Sequence, residues 1–593
     1  MKSKITMLNR FLSQDDIRSK EHRQLLGILL LGILLRLLAL PFTQVVDADA
    51  VSRIFIAEDW LKNPTFFSEG IWLPFHHYLN AFTLAISGEH LFGPKILHIL
   101  LSCLVAIPLY YFTKREYSAK GAWFTALIFI LIPVVFRNSF LALSGLPHAL
   151  FIAAALNASS KSIRNTNISA ALRAGLYLTL AAGFRYEAWL LIPILFLIFT
   201  LFRQHKLGLF FLLTASIFPL FWMTGNYLAH EHILYGLPGN YNKDIVALQN
   251  TDVSFTEKFK RIIYFPFIWF FAYSPFLVVG LSLIFFKKIK QKIRLTSRIL
   301  WTLPFWVFLI FFAYKAYEGT LLMQSRFIIL LLLFSTPFAS LLIENVKKTK
   351  GSKVALVLFL ATLIPLSYVW MQIPFERLFA FSYTLKTSVG EMRAASQNSF
   401  KAIPQVWKKE YLNYSEKVNA NLNLKSGFVL DFISFENTYY LAYKSELPRQ
   451  QIRIIEEAEI SPTNKEDLVR FFKTHPNGVM QLKCNSPLFQ AFEFNSSGLH
   501  LKSDTDTLVF TLQPLAQEIG MGIFTYKISP IAQTPFNEEL LNCPEPNSAD
   551  HYKFLILNND FWKNDVLRKA KENNITFEEQ LEIDVQKLID THP

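Results

Sequence analysis

Long apolar runs joined by short polar links fill the first two-thirds of the chain. About eleven of these runs approach the roughly 17–25 residues that a helix needs to cross the hydrocarbon core of a bilayer. They lie at about 25–42, 92–112, 120–137, 140–158, 169–184, 188–202, 207–228, 262–286, 299–314, 326–343 and 354–373. The pattern predicts a polytopic α-helical membrane protein with about 11 transmembrane helices.

The charge of the links alternates along the chain. Lys and Arg concentrate in the N-terminal lead and in every second link, near 114–120, 161–164, 203–206, 287–298 and 347–353. The remaining links, including the long first loop at 43–91, are acidic or mixed. Because basic loops stay in the cytoplasm, we expect a cytoplasmic N-terminus. An odd number of spans then places the first loop and the C-terminus outside.

The pattern changes near residue 374, beyond which no run is long and apolar enough to span a membrane. Short strand-like runs alternate there with charged helix-like stretches, which is typical of an α/β domain. The strand-like runs are 427–432, 452–455, 478–482, 507–512 and 522–528, and the helix-like stretches are 466–475 and 573–590. We therefore predict a transmembrane domain at 1–373 and an extracytoplasmic α/β domain at 374–593.

The composition agrees with a membrane protein, since 52% of the residues are hydrophobic. The net charge of +14 raises the alternative of a nucleic-acid partner. Residues 374–593, however, contain 23 Lys and Arg against 28 Asp and Glu, whereas residues 1–373 contain 36 against 17. The positive excess belongs to the membrane part, where loop orientation explains it. We expect a lipid bilayer as partner and no nucleic acid.

Two further features limit the choice of class. The three cysteines, Cys103, Cys484 and Cys543, show no C-x-x-C spacing, which argues against a thiolate metal site. Cys484 and Cys543 would share the outer side and could form a disulfide. The charged lead is long and no small-residue cleavage site follows the first apolar run, so this run predicts a retained spanning helix and not a signal peptide.

The first outer loop concentrates acid–base groups. A helix within it is predicted by apolar residues on one face, at Ala50, Ile54, Ala57 and Leu61. Asp47 and Asp49 lie just ahead of this helix. One of them could be the helix N-cap. Alternatively, the pair could supply a general base or hold a divalent cation, Mg²⁺ or Mn²⁺.

The same loop carries Arg53, His76 and His77. The aromatic run 71–88 is too polar to span, and it predicts an interfacial or re-entrant helix with Trp72 at headgroup level. The two histidines could be ordinary interfacial residues. Alternatively, the histidines and Arg53 could help to bind the substrate beside the aspartates.

Further charged residues fall at predicted outer helix ends. Arg185 and Glu187 interrupt apolar sequence; they could form a structural ion pair, or they could help to bind a lipid-linked phosphate through the Arg185 guanidinium. Arg326 opens one span and Arg137 ends another. Each of these could snorkel to the interface or bind the same phosphate.

Taken together, these pieces resemble a known family. An acidic pair after the first span, in DADAVSR at 47–53, precedes WLPFHHYL at 72–79, FG-x-K at 92–95 and FRYEAW at 184–189. This order is similar to that of the GT-C superfamily of integral-membrane glycosyltransferases. The branch it resembles contains the protein O-mannosyltransferases (glycosyltransferase family 39-like) and the aminoarabinose transferases that modify lipid A. The resemblance covers about residues 25–345.

The resemblance implies a glycosyltransferase of a prokaryotic inner or plasma membrane. Such enzymes move a sugar, here mannose or another hexose or pentose, from a polyprenyl-phosphate donor with inversion, and the acceptor could be a glycan, a lipid or a protein. By position, Asp47 or Asp49 would be the general base, and Arg185 and Arg326 would be phosphate ligands. Related sequences often carry an acidic residue after the third span, which 139–148 lacks.

Two other classes of protein are alternatives to a glycosyltransferase. A transporter or flippase of lipid-linked saccharides would place ionisable residues near mid-membrane, often with repeat symmetry. Here the charged clusters lie at one predicted face and the sequence shows no repeat. A non-catalytic membrane scaffold, whose outer domain binds a partner, would leave the three outer-face clusters apart, so convergence of these clusters would distinguish an enzyme from a scaffold.

Overall fold

A computed structural model describes residues 2–40, 48–62, 64–65, 72–88, 92–235, 255–273, 296–321, 325–345, 417–423, 425–431, 438, 441–443, 445, 447–455, 462–484, 486–495, 498–503, 506–518, 521–528, 548–558 and 560–591. The chain divides into two compact units. The first comprises residues 1–45, 56–88 and 92–405, and the second comprises residues 46–55, 89–91 and 406–593.

The first unit is helical in its described part. Its helices are α1 (Lys2–Ala39), the later part of α2 (Ala48–Lys62), α3 (Phe75–Ser87), α4 (Gly93–Leu104), α5 (Ala106–Glu116), α6 (Ala122–Leu131), α7 (Pro133–Asn138), α8 (Gly145–Asn165), α9 (Ile168–Phe184), α10 (Glu187–Leu201), α11 (His205–Ala215), α12 (Ile217–His230), α13 (Phe255–Tyr273), α14 (Thr296–Leu300), α15 (Leu303–Glu318) and α16 (Ile328–Asn345). A 3₁₀ turn at Ser325–Phe327 precedes α16.

Four helical segments are long and apolar enough to cross a membrane by length and composition: Glu21–Ala39, Gly93–Glu116, His205–His230 and Arg298–Glu318. Five shorter apolar helices accompany them, at Ala122–Leu131, Ile168–Phe184, Glu187–Leu201, Arg261–Phe270 and Ile328–Glu344. These segments agree with the predicted polytopic helical fold. The count of about 11 spans stays a prediction, and the run at 354–373 lies outside the described residues.

Charged residues join the helix ends at the basic links. Glu116, at the end of α5, accepts hydrogen bonds from Arg164 Nη2 (2.7 Å) and Nε (3.1 Å) and from Ser160 Oγ (2.5 Å). Two further ion pairs between such links are Lys114–Glu21 and Arg298–Glu344. The basic links that the charge pattern places on the cytoplasmic side are therefore joined in pairs by these ion pairs. Their orientation relative to a membrane stays a prediction.

A fully buried arginine joins α1 to α6 and to the end of α7. Arg36 donates to the Ile130 carbonyl (2.7 Å), and its guanidinium carbon lies 4.8 Å from the Phe136 ring centroid. It also donates to Gly32 O (3.1 Å) and to Ser139 Oγ (2.9 Å). A buried cation is costly unless its donors are paired. These acceptors and the aromatic face explain how an apolar helix accommodates this charge.

The aromatic run of the first loop forms α3, which packs on α9 and α12. The Phe75 ring lies against Gly183, where a Cβ atom would overlap it. Its centroid is 6.0 Å from that of Phe184 and 4.9 Å from that of Phe218. Gly88 ends α3 in the left-handed region (φ 64°), and its N–H donates to Leu84 O. Only glycine adopts this region without steric cost.

The second unit contains a seven-stranded mixed sheet. Its strands are β1 (Gly427–Asp431), β2 (Ile452–Ile455), β3 (Asn477–Lys483), β4 (Phe492–Asn495), β5 (Gly498–Lys502), β6 (Thr507–Glu518) and β7 (Met521–Ile528), in the order β2-β1-β3-β7-β6-β5-β4. β1 pairs with β2 and β3 in parallel, and the other pairs are antiparallel. The helices are α17 (Pro462–Thr474), α18 (Pro487–Gln490), α19 (Ala549–Asn558), α20 (Asp560–Asn573) and α21 (Phe577–Thr591).

The structure corrects three local expectations. Asp49 lies within the first turn of α2 and not ahead of it; a carboxylate there interacts favourably with the positive end of the helix dipole. The stretch 573–590 is not continuous, because Asn574 adopts a left-handed backbone (φ 56°) between α20 and α21. β4 and β5 have no counterpart among the predicted strands, since they are short and closely connected.

The cysteines differ in state. Cys103 is buried and free, whereas Cys484 is disulfide-bonded. Cys543 lies outside the described residues.

Candidate active site

The connection between α9 and α10 places Arg185 beside Glu187. α9 ends at Phe184, Arg185 has an extended backbone (φ −155°, ψ 143°), and α10 begins at Glu187. Trp189 Nε1 closes this turn by donating to the Ala182 carbonyl (3.1 Å). An acidic residue in the first turn of α10 is favoured by the helix dipole. The local sequence therefore fixes both charges at a helix break.

Arg185 and Glu187 form a two-point ion pair. Arg185 Nη2 donates to Glu187 Oε1 (2.6 Å), and Nε donates to Oε1 (3.0 Å) and Oε2 (3.2 Å). The side chains are only 20% and 14% exposed, so the pair is largely removed from water. Arg185 Nη1 has no hydrogen-bond partner within the described part of the chain. The structural pair is thus formed, and one edge of the guanidinium can still take a ligand.

Three of the predicted arginines lie on neighbouring segments. The Arg185 guanidinium carbon is 5.1 Å from the ring centroid of Phe327, in the 3₁₀ turn that also carries Arg326. α7, whose last turn carries Arg137, packs against the same turn. Arg137, Arg185 and Arg326 therefore come from segments that meet within the helical unit. That they share the outer face of a membrane stays a prediction.

His148 belongs to this cluster although the sequence did not single it out. It lies in the first turn of α8, is 1% exposed, and is within electrostatic range of Arg185 and Glu187. The only signal in the sequence was a polar residue at the start of an apolar run. Such a signal does not distinguish a structural histidine from one that lines a site.

The histidines of α3 are buried and one of them is tied to α4. His76 Nε2 lies 3.2 Å from His98 Nε2, and His98 Nδ1 lies 2.8 Å from the Pro94 carbonyl. A carbonyl oxygen only accepts, so His98 Nδ1 donates and its Nε2 accepts from His76. His77 is also buried, with its ring centroid 6.2 Å from that of Trp72. Substrate binding by these histidines beside the aspartates stays a prediction.

The predicted bases belong to α2 or directly precede it. Asp47 lies outside the described residues. Asp49 is partly exposed, and Arg53 follows four residues later, on the same helix face, with 7% exposure. This part of α2 belongs to the second unit, where the Arg449 guanidinium lies 5.2 Å from the Phe55 ring centroid. Convergence of Asp49 with the arginines stays a prediction.

Metal binding has limited support in the described residues. Among them, no group of three or more His, Cys, Asp and Glu side chains could hold a metal ion. Because Asp47 is not part of this set, the predicted Mg²⁺ or Mn²⁺ site at Asp47 and Asp49 stays a prediction.

Comparison with known proteins adds evidence on class. A family model described as dolichyl-phosphate-mannose-protein mannosyltransferase matches residues 70–223. The chain is similar in structure to ArnT from Cupriavidus metallidurans bound to undecaprenyl phosphate, with 10% sequence identity and a TM-score of 0.55. The alignment covers 86% of this chain and 99% of the ArnT chain. For the apo state of ArnT from the same organism, the sequence identity is 11% and the TM-score is 0.55, and the alignment covers 84% of this chain and 97% of the ArnT chain.

The oligosaccharyltransferase AglB from Archaeoglobus fulgidus, in complex with an inhibitory peptide and a dolichol-phosphate, has 12% identity and a TM-score of 0.42, covering 78% of this chain and 70% of its own. A search of curated proteins found no match.

Residues 70–223 are thus similar to a mannosyltransferase family, and the fold of the chain is similar to that of ArnT. The matched segment contains Arg137, His148, Arg185 and Glu187. It does not extend to the aspartates of the first loop or to Arg326. The comparisons therefore relate residues 70–223 to a glycosyltransferase family and leave the base unassigned.

Proposed function

We propose that the protein transfers a sugar from a polyprenyl-phosphate donor to an acceptor hydroxyl, with inversion, at the extracytoplasmic face of a membrane. The observation that carries this proposal is the arrangement of Arg185. One edge of its guanidinium is held by Glu187, the other edge is open to a ligand, and the neighbouring segments supply Arg137 and Arg326. A planar guanidinium fork is well suited to phosphate oxygens.

The bond changes assign a role to each charge. The acceptor oxygen attacks the anomeric carbon, and its proton passes to the carboxylate of Asp47 or Asp49. The bond from the anomeric carbon to the phosphate oxygen breaks, and its electron pair remains on the phosphate. Negative charge therefore grows on the phosphate, where fixed cations stabilise it more in the transition state than in the bound donor.

Glu187 gives this arrangement rigidity. Because it occupies Arg185 Nη2 and Nε, the remaining edge points in one fixed direction before the donor arrives. A group fixed in this way loses little conformational entropy when it binds its ligand. A lysine at this position could not be held at two points in the same way.

Arg185→Ala tests the phosphate role. We expect transfer of label from polyprenyl-phosphate sugars to fall about 100-fold, as is typical when a group that stabilises developing charge is removed. The assay uses the full-length protein in nanodiscs and a panel of donor sugars and acceptors, because neither is identified.

Arg173→Ala is the matched control, since Arg173 is exposed on α9, the helix that precedes Arg185, and among the described residues it donates only to the Ser169 carbonyl of that helix. Equal transfer rates in both variants, with wild-type levels of folded protein, would show that Arg185 does not contact the donor.

A divalent cation at Asp47 and Asp49 is part of the proposal only as an assisting group. Chelation by EDTA would then abolish transfer, and Mg²⁺ or Mn²⁺ would restore it. If EDTA does not change the rate of transfer, the aspartates do not hold a required cation, and their proposed role is that of general base only.

A further inference from the structure

The α8 N-terminus presents a buried histidine that no contact of the described chain explains. His148 is 1% exposed, and its Nε2 has no hydrogen-bond partner among the described residues. A buried polar atom without a partner costs free energy, of the order of 1–3 kcal/mol. Native structures rarely tolerate this cost without a ligand, a water or a functional reason.

Aromatic packing fixes His148 next to the ion pair. Phe151 lies one turn further along the same face of α8, and its ring stacks on that of Phe184, with centroids 5.7 Å apart and an interplanar angle of 20°. Phe184 directly precedes Arg185. Residues three apart share a helix face, so this stack brings His148 toward Arg185 and Glu187.

The turn with Arg326 approaches the same helix end. A Cβ atom on Gly145, in the first turn of α8, would lie 3.5 Å from Ile329 Cδ1, just after the 3₁₀ turn. The Arg185 guanidinium contacts Phe327 in that turn. The first turn of α8, the α9–α10 break and the 3₁₀ turn therefore surround one region.

Two unfilled hydrogen-bonding atoms belong to this region. They are Arg185 Nη1 and His148 Nε2, and neither has a hydrogen-bond partner among the described residues. Arg185 and Glu187 together carry no net charge, so Arg185 offers an anion an N–H donor, and the positive charge that balances the anion comes from Arg137 and Arg326 on the adjoining segments. A neutral imidazole N–H can donate to such a ligand without adding a second buried charge.

We propose that His148 is a binding residue of the donor site, and that its Nε2–H donates to a non-bridging oxygen of the lipid-linked phosphate that Arg185 also binds. This inference rests on the proposed function and adds a residue to it. The helix N-terminus that carries His148 favours an anion at the same place. The stretch 139–148 has no acidic residue that would repel this anion.

Paired substitutions test which nitrogen acts. His148→Gln keeps an N–H donor at about the position of Nε2, whereas His148→Asn keeps a polar group only near Nδ1. We expect the dissociation constant for undecaprenyl phosphate to rise about tenfold or more in His148→Asn. His148→Gln should stay within about threefold of wild type. Native mass spectrometry of the full-length protein in detergent measures binding without any sugar transfer.

The controls separate folding from binding. His205→Asn changes an exposed histidine at the start of α11 and should leave binding unchanged. Thermal stability of each variant in detergent shows whether the fold survives. If His148→Asn is too unstable to use, a stable His148→Leu variant replaces it. Loss of binding in His148→Leu, together with retained binding in His148→Gln, supports the same conclusion.

The outcomes also distinguish this inference from the proposed function. If His148→Asn binds undecaprenyl phosphate as tightly as the wild type does, the role of His148 is overturned and the proposed function stays intact. Equal loss in His148→Gln and His148→Asn would overturn the Nε2 donor. A wild-type protein that does not bind undecaprenyl phosphate would contradict the proposed function itself.

Discussion

At the scale of single residues, two buried or partly buried charges of the helical unit are held by specific partners. Arg185 is held by a glutamate only two residues away, at a break between two apolar helices. Arg36 is held by carbonyl and hydroxyl oxygens of other helices. The first arrangement could be expected from the sequence, because the partner is local. The second could not, because its acceptors are about a hundred residues away.

Asp431, at the end of β1, gives a residue-scale prediction on pH. Burial raises the pKa of its carboxyl from 3.8 to about 7, although Ser486 Oγ and the Lys483 N–H both donate to Oδ2 at 2.7 Å. A raised carboxyl pKa means that the folded state prefers the proton. This contribution to stability is complete below about pH 4 and is lost as the pH rises through about 7, at up to about 1.4 kcal/mol per pH unit.

Asp431→Asn should mimic the protonated form, since both hydrogen bonds go to one oxygen. In the wild-type protein, we expect the protection of β1 and β3 from hydrogen exchange to fall as the pH rises from 5 to 8. At each pH, this protection is compared with that of Asp431→Asn, in which it should not fall in the same way. Peptide-resolved exchange on the full-length protein measures this. The same pH dependence in both proteins would refute the assignment.

At the scale of elements, close helix contacts decide which glycines can change. A Cβ atom on Gly175 in α9 would overlap the backbone of Phe211 and lie 2.8 Å from Ala215 N, whereas one on Gly27 in α1 would have no atom within 4 Å. Gly175→Ala should therefore destabilise the helical unit by about 1–3 kcal/mol. Gly27→Ala should be neutral or stabilising by up to about 1 kcal/mol.

Thermal denaturation of both variants in the same detergent compares these two glycines. A Gly175→Ala protein as stable as Gly27→Ala would mean that α9 and α11 do not pack as closely as described.

The elements themselves were largely predictable and their partners were not. Periodicity located the helix of the first loop and the runs that form β1, β2, β3, β6 and β7, because local spacing reports a buried face. It did not report that His76 pairs with His98 on α4, or that the polar residue opening α8 lies beside Arg185. Those relations arise from packing between segments that are distant in sequence.

At the scale of the whole molecule, charge alternation in the links and the observed helix ends give one consistent arrangement. Links predicted to share a side meet in pairs through Glu116–Arg164, Lys114–Glu21 and Arg298–Glu344. The segments bearing Arg137, Arg185 and Arg326 meet separately. Basic links, and arginines on segments that meet at a helix break, are the features that the proposed chemistry on a lipid-linked phosphate requires.

The central claim is that a first-loop aspartate removes the acceptor proton in such a transfer. The most direct test measures sugar transfer from polyprenyl-phosphate donors by wild type, Asp47→Asn and Asp49→Asn, with undecaprenyl phosphate binding as the control for fold and donor site. We expect one of the two substitutions to lower transfer by at least about 100-fold while binding persists. Full transfer in both variants would contradict it.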